Sequence, residues 1–179
     1  FLSFRTRVCQ EMTKRSSLIK DLKVDSIPYF ERDEIMPYLG DKLGKGGFNS
    51  VYELEKIELD ESNPCSDDQR RQRSAVAHSL QKKLAVKFLN ESAMANSNEF
   101  CNGAADLLLE AKYLSALSKH PHPSIISLHG VAAAGAAGFA TGQMGGYFLV
   151  VDRLYDTLDK RIDVWKELRR RKLRNSSPT

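Results

Sequence analysis

The sequence has few cysteines and histidines, the residues that form disulfides or bind metals. Its three cysteines, Cys9, Cys65 and Cys101, are scattered, odd in number and without metal-ligand spacing. This usage suits a reducing compartment better than a disulfide framework. The four histidines also lack the further ligands and spacing of a zinc site. We therefore predict no metal-ligating residues and an intracellular protein, in the cytoplasm or the nucleus.

Long apolar runs and a strong charge of either sign are also absent. No apolar stretch approaches the length that crosses a bilayer, and no signal peptide is recognisable. The chain carries 27 Lys and Arg against 23 Asp and Glu, a net charge of +4. So mild an excess does not by itself indicate a nucleic-acid partner. With 179 residues and 41% hydrophobic content, we expect one globular domain with a real core and no membrane partner.

Glycines cluster between two strand-like segments. Residues 43–54 read L-G-K-G-G-F-N-S-V-Y-E-L and contain Gly44, Gly46 and Gly47. This pattern predicts a strand, a tight turn and a second strand. Glycine permits φ > 0 and close approach of backbone N–H groups to a ligand, and converging N–H groups favour phosphates. An ordinary β-hairpin would show the same pattern, so the remaining sequence must decide between the two interpretations.

A lone lysine and a carboxylate lie in the next two ordered segments. Lys87 stands in the middle of the apolar strand 84–89, L-A-V-K-F-L, where a charge is unfavourable without a partner. Residues 104–118 show leucines at helical spacing, and Glu110 falls on the same side of that helix as Leu114. The sequence therefore offers one acidic partner for the strand lysine.

Two further segments complete a series that resembles the N-terminal, ATP-binding lobe of eukaryotic-type protein kinases. Residues 122–128, H-P-S-I-I-S-L, are similar to the H-P-N-I-V-x-L entry into the fourth kinase strand, and residues 148–154, F-L-V-V-D-R-L, resemble the fifth strand and hinge. The glycine cluster fits G-x-G-x-x-G-x-V with Asn49 in place of the third glycine, and L-A-V-K matches V-A-I-K. The resemblance covers roughly residues 36–162.

The resemblance implies an α+β fold in which a five-stranded antiparallel sheet carries one long helix. Residues 1–33 would be an N-terminal flank, residues 34–162 the lobe and hinge, and residues 163–179 a basic tail leading to a C-terminal lobe. Residues 60–83 are polar without an apolar period, which predicts a loop insertion. H-R-D-x-x-x-x-N and D-F-G do not occur in the 179 residues, and we expect them in sequence that follows.

Local patterns give approximate bounds for individual elements. We expect strands at residues 36–43 and 51–59, a helix capped by Asn102 or Ser97, and a short helix at residues 155–165. Residues 130–146 are rich in glycine and small residues and predict a flexible hairpin connection between the fourth and fifth strands.

The resemblance also implies roles for the glycine cluster. The backbone N–H groups of Gly44, Gly46 and Gly47 would cover the phosphates of ATP, and Phe48 would shield the γ-phosphate from water. Asn49 tolerates left-handed backbone angles better than most residues, so its presence predicts a stiffer turn that remains functional.

Lys87 would hold the α- and β-phosphates of ATP, and Glu110 would be its ion-pair partner. Glu99 is the rival carboxylate, and Glu110 is preferred because its helix continues directly towards residues 122–128. A pair that forms only when the helix swings inwards would also act as a switch.

The adenine-binding residues form a further set. The resemblance implies that these are the sandwiching side chains Leu43, Val51 and Ala85, the gatekeeper-like Val151, and the backbone groups of Asp152 and Leu154. Small apolar side chains such as Val51 and Ala85 are equally expected in a core, and the two roles are compatible.

The resemblance implies phosphoryl transfer from ATP to protein Ser or Thr in the complete protein. Mg²⁺ would be held by residues outside these 179, so the chain alone is expected to be inactive, and its protein substrate stays open. The alternative is a pseudokinase or scaffold that binds nucleotide or protein without catalysis. A nucleic-acid role for residues 166–174, K-E-L-R-R-R-K-L-R, is not expected because no aromatic platform accompanies them.

Overall fold

The computed structural model describes residues 27–79, 83–156 and 158–175. These residues form an α+β fold with a mixed six-stranded sheet, in the order β1-β5-β6-β4-β3-β2. The strands are β1 (Tyr29–Phe30), β2 (Leu39–Lys45), β3 (Asn49–Leu54), β4 (Leu84–Leu89), β5 (Leu128–Ala132) and β6 (Phe148–Asp152). Most of the predicted N-terminal flank, residues 1–26, lies outside the described residues.

Helices cover the segments between and after the strands. They are α1 (Arg32–Ile35), α2 (Asp67–Ala77), α3 (Glu91–Ala95), α4 (Ser97–Leu117) and α5 (Leu158–Asn175), with 3₁₀ turns at Met36–Tyr38 and Gly135–Thr141. The α+β class predicted from the sequence is confirmed. No helix in the described part of the chain is both long and apolar enough to cross a membrane.

The prediction of five antiparallel strands is wrong in number and in direction. The additional strand, β1, pairs with β5 in parallel, with Phe30 opposite Ala132. Phe30 is fully buried, and a Cβ on Gly130 would stand only 2.4 Å from the Phe30 ring, so the glycine admits the aromatic side chain. A two-residue strand is too short to show alternation, which is why its aromatic residues could not be recognised as a strand from the sequence.

Several element bounds also differ from the predictions. The first predicted strand begins instead with the 3₁₀ turn Met36–Tyr38, which has Pro37 in its first turn, and the second strand ends at Leu54. The cap of α4 is Asn96, whose side chain accepts hydrogen bonds from the N–H groups of Asn98 (2.9 Å) and Glu99 (3.1 Å). The predicted caps, Asn102 and Ser97, lie within the helix.

Part of the predicted loop insertion is helical. Helix α2 begins after Ser66, whose hydroxyl accepts a hydrogen bond from Gln69 N at 3.3 Å, and Asp67 and Asp68 occupy its first turn. Both features stabilise a helix N-terminus. The helix is joined to the domain by Arg73, which is buried and pairs with Glu34 of α1. A buried ion pair leaves no apolar period, so the pattern indicated a loop.

The connection at residues 130–146 and the basic tail also contain helical structure. The connection forms the 3₁₀ turn Gly135–Thr141, in which Phe139 is buried. Helix α5 has 18 residues and extends well beyond the short helix that was predicted after the hinge. Trp165 and Leu168 of α5 are exposed.

The long helix and the sheet share one core. Helix α4 has 21 residues and lies against β4 and β5, with Leu107 and Ala111 buried. Register places Val51, Lys87 and Leu149 side by side across β3, β4 and β6. Directly opposite residues of an antiparallel sheet share a face. The sheet therefore brings Lys87 into one row with apolar side chains from both neighbouring strands.

Candidate functional site

Lys87 and Glu110 form the centre of the site. The Lys87 ammonium forms a salt bridge with Oε2 of Glu110, from the middle of α4. The two side chains are 22% and 31% exposed, so the pair is open to solvent on one side. The structure thus brings together the lysine and the carboxylate that the sequence analysis paired.

The rival carboxylate lies at the far end of the same helix. Glu99 is in the first turn of α4, eleven residues before Glu110. At about 1.5 Å per residue this separates the two carboxylates by roughly 16 Å along the helix axis. Glu99 is therefore not placed to pair with Lys87 in this structure.

Gly46 and Gly47 lie in the turn of the hairpin between β2 and β3, whereas Gly44 lies in β2 opposite Val51. Gly46 N donates a hydrogen bond to Asn49 O at 2.8 Å. Positive φ angles occur in the described residues at other glycines only, so Gly44, Gly46 and Gly47 do not use the left-handed backbone that was anticipated. Among the described residues, a Cβ on Gly44 or Gly47 would meet no atom within 4 Å, and one on Gly46 would meet only Asn49 O at 3.8 Å. Their missing side chains therefore leave open space beside the hairpin.

Asn49 does not play the role predicted for it. No residue other than glycine has a positive φ among the described residues, so Asn49 does not stiffen the turn through a left-handed conformation. It is instead buried as the first residue of β3, opposite Leu89. The turn is held by contacts from another residue, Asn90.

Asn90, which the sequence analysis did not single out, holds the hairpin from the end of β4. Its backbone N–H donates to Phe48 O at 2.9 Å, and its side-chain Nδ2 donates to Gly46 O at 3.3 Å and to Gly47 O at 3.1 Å. An asparagine between a strand and a helix signals an N-cap. That signal could have identified Asn90 as the cap of α3, but not its contacts with a turn more than forty residues away.

Phe48 connects the hairpin to the long helix. A Cβ on Gly103 of α4 would lie 2.8 Å from Phe48 Cβ and 2.7 Å from Leu89 Cδ2, so this glycine permits close packing of the turn against α4. Phe48 is partly buried against the core. Shielding of the γ-phosphate by Phe48 stays a prediction, and the observed contact couples the turn to the helix that carries Glu110.

Apolar side chains extend the row of Lys87 towards the end of β6. Ala85 faces Val151 across β4 and β6, and it lies two residues from Lys87, on the same face of the strand. Ala85 and Val151 are buried, and Val51 is half-buried. The sheet brings these three predicted adenine-binding residues together beside Lys87.

Two of the three remaining predicted adenine contacts, Leu43 and Leu154, are exposed. Leu43 of β2 is 38% exposed, and Leu154, which follows β6, is 66% exposed. Both side chains therefore remain free to cover a ligand, but neither is packed into the apolar surface formed by Val51, Ala85 and Val151.

The end of β6 is fixed by side-chain contacts that the sequence analysis did not anticipate. Asp152 Oδ1 lies 2.6 Å from His129 Nε2, and Oδ2 accepts a hydrogen bond from Ser127 N at 2.8 Å. Burial raises the pKa of the Asp152 carboxyl, but the contacts with His129 and Ser127 outweigh burial and lower this pKa below its ordinary value. Arg153 pairs with Glu53 of β3, so the segment after β6 is tied to the sheet on two sides.

A cleft of about 640 Å³ lies elsewhere, beside helix α2. Its lining includes Asp60, Cys65, Arg70, Arg73 and His78, and none of the predicted site residues. It is therefore separate from the row of Lys87. The part of the chain that the structure describes contains no group of three or more His, Cys, Asp or Glu that could hold a metal.

The geometry thus combines a salt-bridged lysine, an open glycine hairpin and a small apolar surface on one side of a sheet. Converging N–H groups and a lysine favour a phosphate-bearing ligand. Comparison with models of protein families found no match, and comparison with curated proteins found no significant match.

Proposed function

We propose that this chain is the ATP-binding lobe of a protein kinase, which transfers a phosphoryl group to protein Ser or Thr when it is joined to a C-terminal lobe. The observation that carries this proposal is the Lys87–Glu110 pair beside an open glycine hairpin. The order of glycine hairpin, lysine strand, glutamate helix and hinge strand along the chain supports the same family. The kinase lobe and an intracellular location, cytoplasmic or nuclear, belong to this proposal.

The hairpin residues suit a polyphosphate. A Cβ on Gly44 or Gly47 would meet no atom of the described residues within 4 Å, and one on Gly46 would meet only Asn49 O at 3.8 Å. The backbone N–H groups of Gly47 and Phe48 have no hydrogen-bond partner within the described ranges 27–79, 83–156 and 158–175. Unpaired N–H groups at a turn favour an anion. The hairpin would therefore cover the phosphates, while ATP supplies the phosphoryl group to be transferred.

Lys87 and Glu110 would share the electrostatic work. Phosphoryl transfer depends mainly on positioning and on stabilisation of negative charge. The Lys87 ammonium would supply positive charge, since Lys87 lies in the row that Val51 and Gly44 continue across β3 and β2. Glu110 holds that ammonium at one place on the sheet. A lysine fixed in this way loses less rotamer freedom when it binds a phosphate.

The apolar residues near the hinge would bind the adenine. Val51, Ala85 and Val151 form a small apolar surface next to Lys87. The exposed side chains of Leu43 and Leu154 would cover the base, and backbone groups of Asp152 and Leu154 would form hydrogen bonds with its edge. These contacts are proposed from the family resemblance.

A pseudokinase or scaffold would use the same nucleotide site without catalysis. The two functions differ in the second lobe, where the family places the base and the Mg²⁺ ligands. The proposed partners are ATP, the C-terminal lobe of the same kinase and a protein substrate.

The proposal predicts that the chain binds ATP and that Lys87→Met weakens binding by about tenfold or more, since a hydrogen bond to a charged group contributes about 1.5–3 kcal/mol. Lys119→Met is the matched control, because Lys119 is exposed at the end of α4 and lies outside the site. The measurement is calorimetric or fluorescence titration with ATP, with circular dichroism to compare the folds. ATP binding by Lys87→Met equal to that of the wild type would contradict the role of Lys87.

ATP titration together with a turnover assay on the complete protein separates the two carboxylates. Glu110→Gln removes the charge that holds Lys87, whereas Glu99→Gln changes a residue in the first turn of α4. We expect Glu110→Gln to reduce turnover in the complete protein more than ATP affinity, because the pair orients Lys87 for the transition state. Equal effects of the two substitutions would show that Glu110 has no special role.

A further inference from the structure

We propose that Asn90 is a positioning residue that aims two backbone N–H groups of the glycine hairpin at the phosphates. This inference rests on the proposed function and identifies a residue that the family motifs above do not include. Asn90 is 3% exposed and lies between β4 and α3, behind the turn of the hairpin. It donates to three consecutive carbonyl oxygens, those of Gly46, Gly47 and Phe48.

Peptide geometry turns these contacts into a constraint on the N–H groups. A trans peptide is planar, and its C=O and N–H point in opposite directions. No cis peptide occurs among the described residues. The Gly46 carbonyl shares its peptide with Gly47 N–H, and the Gly47 carbonyl shares its peptide with Phe48 N–H. Because Asn90 holds both carbonyls, both N–H groups must point away from it.

These are the same N–H groups that lack a partner within the described part of the chain. Two successive N–H groups that point to one side of a turn create a site for an anion. A Cβ placed on Gly47 would have no atom of residues 27–79, 83–156 or 158–175 within 4 Å. The geometry therefore presents paired donors to an accessible region, and Asn90 fixes their direction.

The orientation of the Asn90 side chain is itself determined. Its Oδ1 accepts hydrogen bonds from Ala93 N and Ser92 Oγ, each at 2.8 Å, which caps α3. This leaves Nδ2 with two N–H donors, and both are used by the hairpin carbonyls. An oxygen at the position of Nδ2 would face two carbonyl oxygens, so a carboxylate could still cap α3 but could not hold the hairpin.

A purely structural role, in which Asn90 only caps α3, makes different predictions for two variants. Asn90→Asp keeps the shape and the cap acceptor and loses both donors. Asn90→Ser also keeps a cap acceptor and loses the donors, but adds no charge. Ser92→Ala is the matched control, because it removes a hydrogen bond to Asn90 that does not touch the hairpin.

The experiment measures the affinities of the full 179-residue chain for ATP and for adenosine, which has no phosphate. We expect both Asn90 variants to weaken ATP binding by about tenfold and to change adenosine binding less than about twofold. Ser92→Ala should leave the ratio of the two affinities unchanged. Amide hydrogen exchange on the wild type adds a test without substitution: Gly47 and Phe48 should be unprotected alone and protected with ATP.

Each other outcome overturns the inference in a recognisable way. Wild-type ATP affinity in both variants would leave the proposed function standing and remove Asn90 from it. A loss of ATP affinity in Asn90→Asp but not in Asn90→Ser would be explained by charge repulsion. An equal loss of adenosine affinity would indicate a general structural effect. If the wild-type chain binds neither ATP nor adenosine, the proposed function fails first, and the role of Asn90 fails with it. If ATP binds but amide hydrogen exchange at Gly47 and Phe48 does not change, the phosphates lie elsewhere.

Discussion

The partly buried charged side chains on the sheet and directly after β6 lie in pairs. The pairs are Lys87 with Glu110, Arg153 with Glu53, and Asp152 with His129. A charge without a partner is costly at a partly buried position, so each pair also fixes the direction of both side chains. Two of these pairs attach the segment after β6, where the proposed hinge begins, to β3 and β5.

At the residue scale, we predict that the stabilising contribution of Asp152 depends on pH. The contacts with His129 and Ser127, acting against burial, lower the pKa of Asp152 in the folded state below its ordinary value of 3.8. A lowered folded-state pKa stabilises the fold above the unfolded-state value, and this contribution is lost as the pH falls through the folded-state pKa. Asp152→Asn should therefore reduce the free energy of unfolding by about 1 kcal/mol at pH 7 and by less at pH 3.

Urea unfolding at the two pH values measures this difference. Asp41→Asn is the control, because Asp41 lies exposed on β2 and has no hydrogen bond to His129 or Ser127. If Asp152→Asn destabilises the protein as much at pH 3 as at pH 7, the carboxylate charge is not what stabilises the end of β6.

At the scale of elements, a buried carboxylate is the main charged anchor of the insertion helix α2. The Gln69 side chain of α2 also accepts a hydrogen bond from Tyr29 N at 3.1 Å and donates one to Ile27 O at 3.3 Å. Glu34 of α1 pairs with Arg73 of α2, and its two oxygens also accept hydrogen bonds from Asp60 N at 2.8 Å and Glu31 N at 2.9 Å. Glu34 is 3% exposed, so all of these contacts form away from water. An insertion that looks like a polar loop in the sequence is thereby integrated into the domain.

We predict that Arg73→Met destabilises the protein by about 3–5 kcal/mol, because it leaves the Glu34 charge buried without its cation. Adding Glu34→Gln should recover part of this loss, since the buried charge is then removed. The measurement is the free energy of unfolding in urea for both variants.

The control for this helix is Arg71→Met. Arg71 lies two residues away and pairs with Asp68 at 3.9 Å, with both side chains at least 80% exposed. Its loss should cost less than about 1 kcal/mol. Similar destabilisation by Arg71→Met and Arg73→Met would show that the helix is not anchored through Glu34.

At the scale of the whole molecule, the sheet, hairpin and long helix form the proposed nucleotide site without a complete catalytic set. The 179-residue sequence contains neither H-R-D-x-x-x-x-N nor D-F-G, the motifs with which kinases accept the substrate proton and hold Mg²⁺. Binding and chemistry are thus proposed to reside in different lobes.

We therefore expect the 179-residue chain to bind ATP weakly and to transfer no phosphate. Incubation with Mg²⁺ and γ-labelled ATP, followed by detection of labelled protein and free phosphate, measures transfer directly, and ATP titration of the same preparation is the positive control for the site. Robust Mg²⁺-dependent transfer by this chain would mean that other carboxylates perform the reaction and that the kinase-lobe assignment is wrong.

The sequence alone determined the features that depend on neighbours along the chain. An apolar run identified β4, helical spacing identified α4, and the glycine cluster identified the hairpin between β2 and β3. A lysine in an apolar strand needs a partner, and Glu110 was preferred over Glu99 because its helix continues directly towards residues 122–128, as in the family that the chain resembles. Local composition contains this information because strand, helix and turn preferences act within a few residues.

Only the tertiary structure decided which distant residues meet. The parallel strand β1 depends on the space that Gly130 leaves for Phe30, and the hairpin depends on Asn90, which follows it by more than forty residues. Helix α2 depends on a buried ion pair whose partners are 39 residues apart. No local period marks such contacts, because a hydrogen bond or ion pair requires only that two groups meet in space, whatever lies between them in the chain.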